Sequence, residues 1–154
     1  KEITIIPPPF IYYKSYNEAM EYCLYNQGFK IEEYYISSFV DLKTNIIDQM
    51  HNRKKRYIKK TINTVQIKES HELEKFYPIL LNNKLRHKTK PTHTLEELQI
   101  LMNLFPNQIK LFLSYYNNKI IGGALNFVTN QNTCILFYIG YTCGTYVLDL
   151  STCM

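Results

Sequence analysis

Few residues in this chain have the type and spacing that chemistry needs. His87 and His93 bracket Lys88, Lys90 and Pro91 in the polar run KLRHKTKPTHT at 84–94. A loop held between regular elements is a common place for function, and an imidazole titrates near neutrality, so either ring suits a general base. Two solvated loop histidines would read the same way. Tyr138 belongs to FYIGYT, near the end of an apolar run, where a tyrosine is commonly a core residue with a satisfied hydroxyl. Gly140, Gly144 and the polar residues between them suit a turn whose backbone N–H groups face an anion. His51 and His71 sit beside expected helix starts and read as surface residues. The cysteines at 23, 134, 143 and 153 form no C-x-x-C pair and have no histidine pair at zinc spacing, so no metal site is expected. They read as free thiols of a reducing cytosol, with Cys134 in the core. The chain has no G-x-G-x-x-G, P-loop, H-E-x-x-H or G-x-S-x-G, which removes most of the support for those reaction classes.

Charge marks one more segment. Between His51 and Lys68 there are seven Lys or Arg (Arg53, Lys54, Lys55, Arg56, Lys59, Lys60, Lys68) and no acid. The rest of the chain holds eleven bases against thirteen acids, so the net charge of +5 comes from this stripe. It reads either as the solvated face of a helix or as a patch for phosphates or nucleic acid.

The elements that must position these residues follow from pattern. At 154 residues the chain is about one domain long, and a chain of that size buries roughly 70% of its unfolded surface. Hydrophobic content of 45% and charged content of 20% are globular values and exclude a disordered or fibrous chain. No run of eighteen apolar residues argues for a membrane span. The opening KEITIIPPPF has no secretory pattern and no initial Met, as expected of a processed or cut chain. Residues 3–13 look extended around three prolines. Ser15 and Glu18 fit a capping box for a helix over about 16–27, and Gly28 suits its stop. The run 29–36 reads as a strand. Ile46, Ile47, Met50, Tyr57, Ile58 and Ile62 recur at helical spacing, which predicts one helix over about 45–62. TVQIK at 64–68 alternates as a short strand. Ser70 opens a helix with Leu73, Phe76, Tyr77 and Leu80 on one stripe, which Pro78 should kink or split. Thr94 and Glu97 form a second capping box, before a helix carrying Leu95, Leu98, Leu101, Met102 and Phe105 and ended by Pro106. IKLFLSYY, KIIGGALNFV and TCILFYIGYT, separated by Asn-rich turns, predict an antiparallel meander. Gly122 and Gly123 within it mark a bulge or a close backbone approach. Segregated helices and antiparallel strands make the class α+β.

Taken in order, FYPILLNNKLRHKTKPTHTLEELQILMNLFPNQIKLFLSYYNNKIIGGALNF followed by ILFYIG resembles the GNAT superfamily of acyl-CoA-dependent N-acyltransferases, and most closely its FemAB-like branch. Upstream, IIPPPFIYYKS and YYISSFVDL resemble the stretch that joins the two halves of that branch, and RKKRYIKKTINTVQI the start of the second half. The resemblance implies a GNAT-like fold with a mixed, mostly antiparallel sheet flanked by helices. Residues 1–44 would end a preceding half, and 45–154 would be the acyltransferase domain, incomplete at its C-terminal end. The implied reaction moves an acyl group from acetyl-CoA or another acyl-CoA to a primary amine on a small molecule or peptide. His93, then His87, would be the base, and Tyr138 would protonate the leaving thiolate. N–H groups near Gly140 would hold the oxyanion, and those of Cys143, Gly144, Thr145 and Tyr146 the pyrophosphate. In that branch the donor can instead be aminoacyl-tRNA, which would use the basic stripe. A non-catalytic polyanion-binding module or a degenerate half is the other reading. Sheet edges left open by a missing end would suit a dimer.

Overall fold

The structure is a computed structural model describing residues 3–13, 15, 17–36 and 38–142. Cys143, Gly144, Thr145 and Tyr146, the expected pyrophosphate holders, lie outside the described residues. The chain divides into two compact units, Lys1–Ile46 and Ile47–Met154.

In the first unit the prolines lead into a single 3-10 turn, Phe10–Tyr12, and then into α1 (Ala19–Asn26). The expected Ser15–Glu18 box does not form. Glu18 is itself the N-cap and makes no side-chain capping bond, while Asn17 Oδ1 accepts the Ala19 N–H at 2.7 Å. At the other end Gly28 stops the helix with φ +83°. Its N–H donates to Tyr25 and the Phe29 N–H to Leu24, the paired bonds of a Schellman motif. Residues 3–13 and 29–36, expected as extended or strand segments, join no ladder among the described residues. Side-chain alternation only makes a run fit for a sheet, and a strand exists once a neighbour takes its hydrogen bonds. None of the described residues of this unit is buried.

The helix expected over 45–62 is two. α2 (Ile46–Gln49) ends before His51, whose extended backbone (φ −60°, ψ 143°) breaks the turn and caps α3 (Asn52–Thr61). His51 Nδ1 accepts the Arg53 N–H at 3.3 Å. After β1 (Gln66–Ser70) comes α4 (Leu73–Arg86), which runs on through Pro78 as one element. Proline here forgoes one backbone bond, a cost of about 3 kcal/mol in a helix interior. Burial of Leu73, Phe76 and Leu80 on the same helix offsets it. α5 (Leu95–Leu104) starts at the expected capping box: Thr94 Oγ1 accepts the Glu97 N–H at 3.2 Å, and Glu97 Oε2 accepts the Thr94 N–H at 2.8 Å.

The meander is β2 (Ile109–Tyr116), β3 (Lys119–Asn130) and β4 (Thr133–Tyr141). Asn117 and Asn118, at φ 47° and 60°, close the first hairpin with the left-handed pair that a tight turn of matching twist requires. The four strands form one open, fully antiparallel sheet in the order β1-β2-β3-β4. The fold is α+β. Its core joins Leu73, Phe76 and Leu80 of α4 and Leu98 and Met102 of α5 to Ile109, Leu111 and Leu113 of β2, Leu125 of β3 and Tyr138 of β4.

Two glycines let α4 settle onto the sheet. Gly123 and Gly140 face each other across β3 and β4. A Cβ on Gly123 would lie 2.8 Å from Phe76 Cδ2 and 2.9 Å from the Phe112 carbonyl oxygen; one on Gly140 would lie 3.1 Å from Leu80 Cα. The approach read from Gly122-Gly123 is therefore real, and a register shift between Ser114 and Tyr115 puts a bulge beside it. No helix among the described residues is long and apolar enough to cross a membrane.

Candidate functional site

A bulge in β4 builds the site. Tyr138 pairs with Leu125 and Leu136 with Asn126, so Phe137 is an extra residue in the strand. A bulge re-aims side chains that would otherwise alternate between faces. Here it lets two consecutive rings meet the loop between α4 and α5. Phe137 stacks on Phe127 with centroids 4.3 Å apart and meets His93 edge-on at 5.5 Å. Tyr138 meets the same imidazole at 6.2 Å, and Lys84 Nζ stands 5.8 Å from the Tyr138 ring centroid.

The Tyr138 hydroxyl organises the loop. Its oxygen accepts the Thr92 N–H at 3.0 Å and the His93 N–H at 3.3 Å, and it lies 3.1 Å from His93 Nδ1. Tyr77 pins the same segment from α4 by donating its hydroxyl to the His93 carbonyl at 3.0 Å. Burial, followed by the neighbouring Tyr138 and the charges of Glu96 and Glu97, raises the Tyr77 hydroxyl above its ordinary value. It therefore stays a donor.

Three contacts converge on the Tyr138 oxygen. A phenol oxygen has two lone pairs, and two backbone N–H groups take both. The third contact, to His93 Nδ1, runs in the direction that the tautomer of the ring sets. The contact joins His93, expected as the base, to Tyr138, expected as the proton donor.

The other expected residues fall elsewhere. His87 is the C-cap of α4, exposed, with its N–H on Lys84, and no contact among the described residues joins it to His93 or Tyr138. Gly140 is buried under Leu80, where its missing side chain serves helix packing. Cys134, expected in the core, is exposed on the edge strand β4, and desolvation by its neighbours still pushes its thiol pKa up. A raised thiol is a poor nucleophile. Among the described residues no cluster of His, Cys, Asp or Glu could hold a metal ion.

Sequence reasoning missed Phe137 and Tyr77. The stripe of α4 includes Tyr77, but nothing local says that its hydroxyl reaches sixteen residues onward to His93. Phe137 carries no signal because a bulge in an apolar run breaks no visible pattern. Comparison with known protein families and with curated proteins finds no match for this sequence.

Proposed function

We propose that the chain is a GNAT-like N-acyltransferase that passes an acyl group from acyl-CoA to a primary amine. The observation that carries this reading is the meeting of His93 with Tyr138, 3.1 Å apart across 45 residues of sequence, in the segment that resembles the family. The α+β architecture with its antiparallel meander is compatible with that fold.

We assign the ring hydrogen of His93 to Nε2, so that the pair works as a proton relay. The amine nitrogen attacks the thioester carbonyl, a C–N bond forms and the C–S bond breaks. The departing sulfur needs a proton. His93 Nε2–H supplies it, and Nδ1 takes the Tyr138 proton in the same movement. The phenolate left behind is held by the Thr92 and His93 N–H groups that already point at it. The proton shed by the new amide nitrogen goes to His93 Nε2 while Nδ1 returns its proton to the phenolate, so both residues recover their starting state and the cycle balances. A positioned proton donor of this kind contributes about 10²–10⁴-fold in rate.

Calorimetric titration with acetyl-CoA at low and high salt, followed by free-thiol release over a panel of primary amines, tests the proposal. Saturable binding that persists in salt is expected, with thiol release that falls about 10²–10⁴-fold in kcat for His93→Ala. Absence of both binding and release with every amine would sink the reading.

A further inference from the structure

The basic stripe has no part in that chemistry, and the structure gives it a shape. Ile58 and Thr61 seat α3 on the protein and are buried. At about 100° per residue, Arg53, Arg56, Lys59 and Lys60 fall within an arc of about 120° on the opposite side, and all four are exposed. Lys55 is drawn aside, its Nζ donating to the Asp48 carbonyl at 3.1 Å. Among the described residues no carboxylate pairs with Arg56, Lys59 or Lys60. The second unit as a whole carries fourteen Lys or Arg against seven acids.

Lys59 and Lys60, in the last turn of α3, suit the helix dipole, while the bases of the first turn oppose it. The N-terminal end of a helix favours acids, yet the first turn of α3 has none and carries Arg53 and Lys54. Arg53 repels Arg56, and Arg56 repels Lys59 and Lys60, at the spacings where helix side chains meet. Like charges crowded at these spacings break a local rule, as functional surfaces do. A membrane-surface helix would need apolar residues on the outward face, and that arc holds Asn52 and the four bases instead. A single small anion would need converging cations. These four extend over about 10 Å of helix axis at 1.5 Å per residue, which suits a succession of phosphates.

We propose that the outer face of α3 binds the phosphodiester backbone of a nucleic acid without reading its sequence. Phosphate contacts fix position and carry no base information. The test is fluorescence anisotropy of the full chain with labelled mixed-sequence RNA, single-stranded DNA and duplex DNA, over a range of salt. With four phosphates neutralised, the slope of log K on log salt should be about −3.6 for duplex and about −2.8 for single strands. Arg56→Glu with Lys60→Glu should weaken binding at least about tenfold and flatten that slope. Lys88→Glu with Lys90→Glu makes the same change of charge in another exposed segment and should have a far smaller effect. Equal losses in both double variants would reduce the effect to net charge and overturn the proposal. So would an absence of salt-dependent binding, or binding to phosphatidylserine vesicles with none to nucleic acid. Circular dichroism of each variant separates lost binding from lost folding.

Discussion

Two residues decide how the loop between α4 and α5 is held. Tyr138→Phe removes the oxygen that accepts the Thr92 and His93 N–H groups while leaving the ring in the core. We expect a stability loss of about 1–2 kcal/mol in urea denaturation, the scale of hydrogen bonds lost without lost packing. An unchanged midpoint would mean that water replaces the hydroxyl at no cost. Lys88 is the opposite case. It occupies the left-handed position after α4 at φ 55°, with its N–H on Leu85 and the Thr89 N–H on Lys84, where glycine is the residue without strain. Lys88→Gly should therefore stabilise the protein by about 1 kcal/mol; a lower melting temperature would contradict this. At this scale the site was half legible. His93 and Tyr138 stand out singly by type and setting. Their pairing was hidden, because it depends on a bulge that only the ladder register reveals.

Elements were legible where the signal is local. The Thr94–Glu97 box reads from four residues and forms as expected, and Thr94→Ala should lower stability by about 1 kcal/mol. The Ser15–Glu18 pattern fits the same rule and fails, because the helix starts at Ala19 and leaves Ser15 too far back to cap it. A motif thus reports a cap only if the first turn forms where the motif requires. The break between α2 and α3 is a similar case: apolar spacing continues through it, while the backbone of His51 does not. Gly123 tests helix-to-sheet packing. Gly123→Ala drives a methyl against Phe76 and the Phe112 carbonyl, and the backbone atom cannot rotate away. Overpacking of this kind costs about 1–3 kcal/mol, read as a shift in denaturation midpoint. The edge of the sheet carries a pH dependence of its own. Lys110 Nζ bonds Glu69 Oε1 at 2.8 Å across β2 and β1, and that hydrogen bond, with the lysine charge, holds the Glu69 carboxyl below the usual carboxylate range. A depressed folded value means stabilisation that is present above the ordinary carboxylate range and lost as pH falls through the folded value. Lys110→Met should therefore be less stable than wild type at neutral pH and equal to it in acid. A difference that persists in acid would assign the effect to packing.

For the whole molecule, class was legible and cohesion was not. Segregation of helical and alternating patterns gives α+β without any contact being known. Whether a run of good strand formers becomes a strand depends on a neighbour, which no local pattern contains. The first unit shows this. It is rich in Ile, Tyr and Phe, and those side chains stay out: Tyr34 is 84% exposed and Ile36 99%. Among its described residues the regular elements are one short turn and α1, and none of those residues is buried. The second unit holds the whole buried cluster and the sheet. Local opening free energy tracks buried apolar contact and protected backbone bonding, so the two units should open independently and at very different cost. Hydrogen exchange should strip the α1 amides early, while the amides of β2 and β3 near Leu111, Leu113 and Leu125 exchange only on global unfolding. Thermolysin, which cuts beside exposed apolar residues, should cleave first within 1–46 and leave the sheet intact, with its Tyr138 fluorescence environment unchanged. Protection of α1 equal to that of β3 would mean that the exposed residues are covered in solution, and that the first unit gains from a partner the cohesion its own side chains do not supply.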